Sequence, residues 1–168
     1  MSTREELLGS VADDFTGATD LAGNWRQRGR RVAVALGVPG EEERARLADY
    51  DAVVVALKIR SAPVEEARRL AREAGIFLRE LGCTQIYDKY CSTFDSTPEG
   101  NIGPIADELL ELTGAGHAIV VPSFPDAGRT VEDGILAVEG VPLAESHMRH
   151  HPLNPMTDSS VVRLMAAQ

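Results

Sequence analysis

Apolar residues along this chain follow two alternating rhythms. Short β-branched runs at Leu7 to Ala12, Val32 to Val38, Ala52 to Ile59, Thr84 to Tyr87 and His117 to Val121 read as strands. Helical spacing separates them. Residues 15–29 place Ala18, Leu21, Ala22 and Trp25 on one face, with Gly29 as a stop. Glu41 to Ala48 suits a short surface helix. A longer helix begins near Pro63, carries Glu65 and Glu66 in its first turn, and buries Ala67, Leu70, Ala71, Ala74, Leu78 and Leu81. Pro104 to Thr113 forms a further helix that Gly114 and Gly116 end. Val32 to Val38 is apolar throughout, the pattern of a strand covered on both faces.

This β-α alternation predicts one α/β domain: an open, mostly parallel sheet with helices on both faces. The rhythm changes after Pro125. Arg129 to Leu143 alternates around Gly134 and Gly140, which predicts a hairpin or two short strands. His147 to Asp158 is rich in Pro, His and polar groups and reads as a long ordered loop. Ser159 to Gln168 closes the chain with a short helical pattern, capped by Ser159 or Asp158. The parallel sheet is thus followed by a C-terminal β-hairpin and loop extension.

Composition narrows the function. With 168 residues the chain can bury a real core. Its formal charge of -9 argues against nonspecific nucleic-acid binding, which needs a basic face. An anionic ligand would therefore need local basic residues. Cys83 and Cys91 are too few for a disulfide framework and have no neighbouring zinc ligands, so a reducing, cytoplasmic setting is expected. The segment MSTREELLGS is charged and reads as no signal peptide. No run approaches the roughly 20 apolar residues of a membrane span.

In open parallel sheets ligands bind beyond the carboxyl ends of the strands. Here those ends carry Asp13-Asp14, Lys58-Ile59-Arg60-Ser61, Asp88-Lys89-Tyr90-Cys91-Ser92 and Pro122-Ser123-Phe124. Adjacent carboxylates at Asp13 and Asp14 suit proton transfer or hydroxyl binding, though one Asp can simply cap the following helix. A dehalogenase-type phosphatase needs a second Asp two residues on, where this chain has Phe15. A receiver domain needs an Asp at the end of the third strand, where Lys58-Ile59-Arg60 stands. Thr16-Gly17-Ala18-Thr19 could turn helix N-terminal amides toward an anion.

Lys58 and Arg60 flank Ile59, so alternation points both to one side of the strand. They suit an anion clamp or a surface ion pair. Lys89, Ser92 and Asp95 form a second polar loop, and Arg129 is either a clamp or a tie within the hairpin. Cys91 is packing or a loop thiol near Lys89. His147, His150 and His151 lack a carboxylate or thiol partner, so no metal site is expected. The chain has neither a G-x-x-x-x-G-K-[ST] loop nor a G-x-G-x-x-G fingerprint.

Four blocks, ADDFTGATDLA (12–22), KYCSTFDSTPEGNIGPIAD (89–107), PSFPDAGRTVEDGILAVEGVPLAES (122–146) and HPLNPMTDSSVVRLMAAQ (151–168), resemble the four-carbon acid sugar kinase family, most of all its 3-oxo-tetronate kinase branch. The resemblance runs in order along nearly the whole chain, except around residues 40–50. It implies a two-domain enzyme: an N-terminal α/β domain that binds the acid sugar, and a C-terminal domain, absent from this chain, that binds ATP. The ATP γ-phosphate would pass to the terminal hydroxyl of a tetronate or its 3-oxo form. Mg²⁺ would arrive with ATP, held mostly outside this chain.

On that reading Asp13 or Asp14 is the base for the acceptor hydroxyl. Lys58, Arg60, Lys89 and Arg129 are candidates for the carboxylate clamp. Ser61, Ser92, Asp95 and Ser123, with Thr16 and Gly17, are candidates for the remaining contacts. The expected partners are a small acid sugar and the nucleotide-binding domain, with a homo-oligomer possible and no nucleic acid or membrane. This chain alone is expected to be inactive. The rival is a non-catalytic module that binds a sugar acid and regulates a partner.

Overall fold

The computed structural model describes residues 6–168, so the first five residues of the charged N-terminal segment lie outside the described residues. Four of the strand-patterned runs pair in parallel: β1 (Leu8–Ala12), β2 (Val32–Leu36), β3 (Ala52–Ala56) and β4 (Gln85–Lys89), in the order β2-β3-β1-β4. Helices α1 (Phe15–Gln27), α2 (Glu41–Leu47), α3 (Val64–Leu81) and α4 (Ile102–Thr113) cover the two faces. Period-2 alternation sorts the strand side chains. Val11, Val53 and Val55 pack with Ala67, Ala71 and Leu78 of α3 and with Ile105 and Leu109 of α4. Ala12, Val54 and Ala56 face the opposite way, onto Ala18 and Leu21 of α1. Leu47 places α2 on the α3 side, where Arg44 lies 5.3 Å from the Phe77 ring centre and pairs with Glu80 at 2.8 Å.

Register sets the level of the site. Ala12 stands opposite both Ala56 and Lys89, so β3, β1 and β4 end together. The chain leaves β1 into α1 on one face, while the helices after β3 and β4 cover the other. That divergence opens a crevice at the end of β1, the usual place for a ligand in such sheets.

A second unit follows. Strands β5 (Arg129–Glu132), β6 (Ile135–Val138) and β7 (Val141–Pro142) form an antiparallel sheet, and α5 (Val161–Ala166) closes it. Both hairpin loops have two residues, Asp133-Gly134 and Glu139-Gly140, and all four have positive φ, as type I′ turns require. The core of this unit (Leu136, Val138, Leu143, Met148, Met156 and Val161) also takes in Phe94 and Ile102. The polar loop after β4 is thereby clamped between the two sheets.

Several expectations are corrected. His117 to Val121 makes no ladder among the described residues: Ile119 is 86% exposed, and Val120 turns to the second core instead of extending the sheet. β2 is covered on both faces only in part, with Val32 against the α1 side and Ala33 against the α3 side. It is the sheet's edge, and Leu36 is 75% exposed. β4 runs two residues longer than its pattern, through Asp88 and Lys89, because both keep ladder partners on β1. The expected hairpin is three strands, since Gly140 permits a second tight turn. His147–His150 forms a 3-10 turn within the long loop. α4 starts two residues before Pro104, and α5 is capped by the Ser160 side chain, which accepts from the Arg163 amide. Asp158 instead ion-pairs with Arg163 at 2.6 Å.

Gly9 shows how closely α3 approaches the sheet. A Cβ there would lie 3.1 Å from both Cβ and Sγ of Cys83 and 3.3 Å from Cβ of Leu78. Gly9→Val should lower the unfolding free energy by about 1–3 kcal/mol through overpacking. Urea denaturation would check this, and an unchanged midpoint would count against the close packing.

Candidate active site

Asp13 is the first residue past β1, and main-chain bonds hold it from both sides. Its N–H donates to the Lys89 carbonyl at 3.0 Å, and its carbonyl accepts from the Ile59 N–H at 3.0 Å. Its side chain is buried, and both carboxylate oxygens accept from Arg60, from Nε and Nη2, each at 2.9 Å. Such a two-point fork is among the strongest pairings available to a carboxylate. Arg60 Nη2 also lies 2.8 Å from Asp14 Oδ2, and Nη1 lies 3.7 Å from Asp95 Oδ2. One guanidinium therefore gathers three carboxylates from the loops after β1 and β4.

Burial pushes the Asp13 carboxyl above its ordinary range, against the pull of Arg60. Burial also works against the Arg60 charge, but Asp13 and Asp14 outweigh it and hold the guanidinium firmly protonated. The two residues respond differently because Asp13 is the more deeply enclosed.

Asp14 does two things. Its Oδ1 accepts from the Gly17 N–H at 2.5 Å, capping α1, while Oδ2 faces Arg60. At 29% side-chain exposure it is open to solvent, where Asp13 at 4% is not. Gly17 is needed here: a Cβ would lie 2.8 Å from Asp14 Oδ1 and 3.2 Å from Lys89 Nζ. Lys89 thus reaches the start of α1, and its ammonium donates to the Tyr90 carbonyl at 2.8 Å.

Beside Lys89 opens a cleft of about 300 Å³. Its lining includes Lys89, Ser92 and Ser123 with Asp20 and Asn24 of α1 and Arg28 just past that helix. Trp25 and Tyr87, in edge-to-face contact at 6.4 Å, supply apolar wall. The volume lies at the lower end of the range for small-molecule pockets.

The structure thus brings together Asp13, Asp14, Gly17, Arg60, Lys89 and Asp95, with Ser92 and Ser123 on the adjoining cleft. Other candidates stand apart. The alternation argument for Lys58 and Arg60 does not hold, because β3 ends at Ala56 and the chain turns there. Lys58 and Ser61 are exposed, while Arg60 turns onto Asp13. Thr16 is exposed, and its carbonyl accepts from the Thr19 hydroxyl. Arg129 donates to the Ala127 carbonyl and ties its own turn. Among the described residues no group of His, Cys, Asp and Glu is placed to hold a metal.

Sequence reasoning missed several supports. Asn101 donates through Nδ2 to the carbonyls of Ile59 at 2.7 Å and Ala62 at 2.8 Å, fixing the loop that carries Arg60. Asn154 donates to Asp95 Oδ1 at 2.8 Å and binds the second unit to the site. Phe94 is fully buried at φ +49, a left-handed conformation that a bulky residue rarely adopts. Its ring, 5.8 Å from Tyr90, anchors the loop bearing Ser92 and Asp95. Strain of this kind tends to gather at functional sites. A Phe between Thr and Asp carries no sequence signal of it.

The family model described as a sugar-binding N-terminal domain matches residues 8–168. The chain belongs to that family. The 3-oxo-tetronate kinase of Pseudomonas fluorescens is 48% identical over 168 residues, which is 100% of this chain and 39% of the relative. A solved Haemophilus influenzae protein superposes with a TM-score of 0.89 at 45% identity, covering 95% of this chain and 38% of that one. A Bordetella bronchiseptica structure, a domain-swapped dimer with bound citrate, superposes at a TM-score of 0.78 and 29% identity, covering 95% of this chain and 39% of that one. This sugar-binding domain spans less than two-fifths of the length of the curated kinases it matches. No described helix is long and apolar enough to cross a membrane.

In the sugar-binding domain the Arg60 bridge is also a stability element. Arg60→Met should leave Asp13 buried without its counter-charge and cost about 3–5 kcal/mol. Urea unfolding would measure it; a loss under about 1 kcal/mol, the range of an exposed pair, would contradict the bridge.

Proposed function

We propose that this chain is the acid-sugar-binding part of an ATP-dependent kinase that phosphorylates the terminal hydroxyl of a four-carbon acid sugar, a tetronate or 3-oxo-tetronate. The observation that carries the reading is the cleft lined by Lys89, Ser92 and Ser123, whose Lys89 ammonium reaches the end of α1 that Asp14 caps. The kinase names of its relatives support it, as does the citrate, a small hydroxy acid, bound in the Bordetella bronchiseptica neighbour.

On this reading Lys89 receives the substrate carboxylate, and Ser92 and Ser123 meet its hydroxyls. Arg60 is spent on Asp13, Asp14 and Asp95, so it shapes the site more than it clamps substrate. Asp14, the more open of the pair, orients the acceptor hydroxyl and takes its proton as the phosphoryl group arrives. Asp13 holds Arg60 in register. The Gly17 amide at the start of α1 is committed to Asp14 and fixes the orientation of that carboxylate. Three carboxylates that converge on a guanidinium do not fit a resident Mg²⁺ here. ATP and its metal would be bound by the part of the kinase that this chain does not span.

Two variants of the complete kinase test the roles. Asn can still cap α1, so Asp14→Asn removes the charge while sparing the helix. It should cut kcat by about 10²–10⁴ with KM little changed. Lys89→Met should chiefly raise KM for the acid. Steady-state kinetics with a tetronate panel reads both, and wild-type turnover in Asp14→Asn would refute the base.

A further inference from the structure

Asp88 lies on β4 opposite Val11, so its side chain shares the α3–α4 face, behind Asp13. The residue is partly exposed at the sheet edge, yet its Oδ1 is sealed from solvent and has no hydrogen-bond partner. Asn101 has the same defect. Its Nδ2 is committed to the carbonyls of the Arg60 loop, and its Oδ1 is buried and unpartnered. Both residues line one small pocket with Asp13, Arg60, Tyr90 and Ser96. Two buried acceptors without donors are costly, and native proteins rarely leave them so.

The pocket is too narrow for a water molecule, which also excludes an ion as large as potassium. Ser96 Oγ accepts from Gln168 at 3.0 Å and makes no hydrogen bond to Oδ1 of Asp88 or of Asn101. The Arg60 fork is directed at Asp13 and Asp14. An ionised Asp88 would therefore put a second carboxylate beside Asp13, with one oxygen sealed from solvent and no ion pair among the described residues. A proton on Asp88 removes that charge, supplies a donor and takes up almost no space.

We propose that Asp88 is held as a neutral carboxylic acid, and that this bound proton keeps the Asp13–Arg60 bridge in place as a positioning device beneath the site. Burial and the Asp13 charge both push the Asp88 carboxyl well above its ordinary range, and Lys89 only partly opposes them. The titratable groups around it are Asp13, Arg60, Lys89, Tyr87 and Tyr90. None of this depends on the proposed substrate, so it stands or falls apart from the kinase reading.

The sign of the pH effect follows. A group whose folded pKa is raised stabilises the fold below its unfolded pKa, and that contribution is lost as pH rises toward the folded value. The wild-type chain should therefore lose stability with rising pH above the ordinary carboxylate range. Asp88→Asn keeps a donor and cannot ionise, so its melting temperature should gain on wild type steadily as pH rises above the ordinary carboxylate range.

Infrared spectroscopy of this chain reads the proton directly. At neutral pH the wild type should show a protonated-carboxyl C=O band that loses amplitude in Asp88→Asn. A wild type without that band at neutral pH contradicts the proposal even if the variant fails to fold. An unchanged band in the variant, or a melting difference that does not vary with pH, contradicts it too.

Discussion

Arg60 is the residue on which the site depends. Its fork closes on the buried Asp13, and its outer nitrogen reaches Asp14. That single contact joins the loops after β1 and β3. A buried ion pair adds little net stability, because desolvation offsets most of the attraction. Its value here is positional. Losing either partner leaves the other charge stranded, so the two loops are tied to one geometry. Asn101 reinforces the tie through the main chain of the Arg60 loop, and Asp95 and Asn154 extend it to the second unit.

The sheet makes this arrangement possible. β1 lies between β3 and β4, and all three end at one level. α1 leaves on one face while α3 and α4 cover the other, which opens a crevice at the end of β1. The small antiparallel unit is part of the same design. Its core buries Phe94, and Phe94 holds the loop that presents Ser92 and Asp95. The candidate site is thus built on the parallel sheet and stiffened by the extension.

Much of this was legible in the residues. Period-2 and helical spacing gave four strands and the helices nearly to their ends, and strand-end chemistry located Asp13, Asp14, Arg60 and Lys89. The failures have physical causes. Pattern alone cannot separate a buried strand from an apolar edge such as β2, or from the His117 to Val121 run, whose neighbours decide its pairing. Lys58 looked equivalent to Arg60 only while β3 was assumed to continue past Ala56. Asp88 and Asn101 were invisible as supports because their roles come from enclosure, which emerges when α4 closes over the sheet. Matching sequence blocks supplied the acid-sugar setting, which no spacing rule contains.

On the proposed function an acid sugar sits in the cleft beside Lys89, near the carboxyl ends of β1 and β4. Amide-resolved NMR of this chain, titrated with a four-carbon sugar acid such as erythronate, tests that placement most directly. The largest shifts should fall on Gly17, Lys89, Ser92 and Ser123. Shifts centred on the β5–β7 sheet, or none at saturating acid, would contradict it.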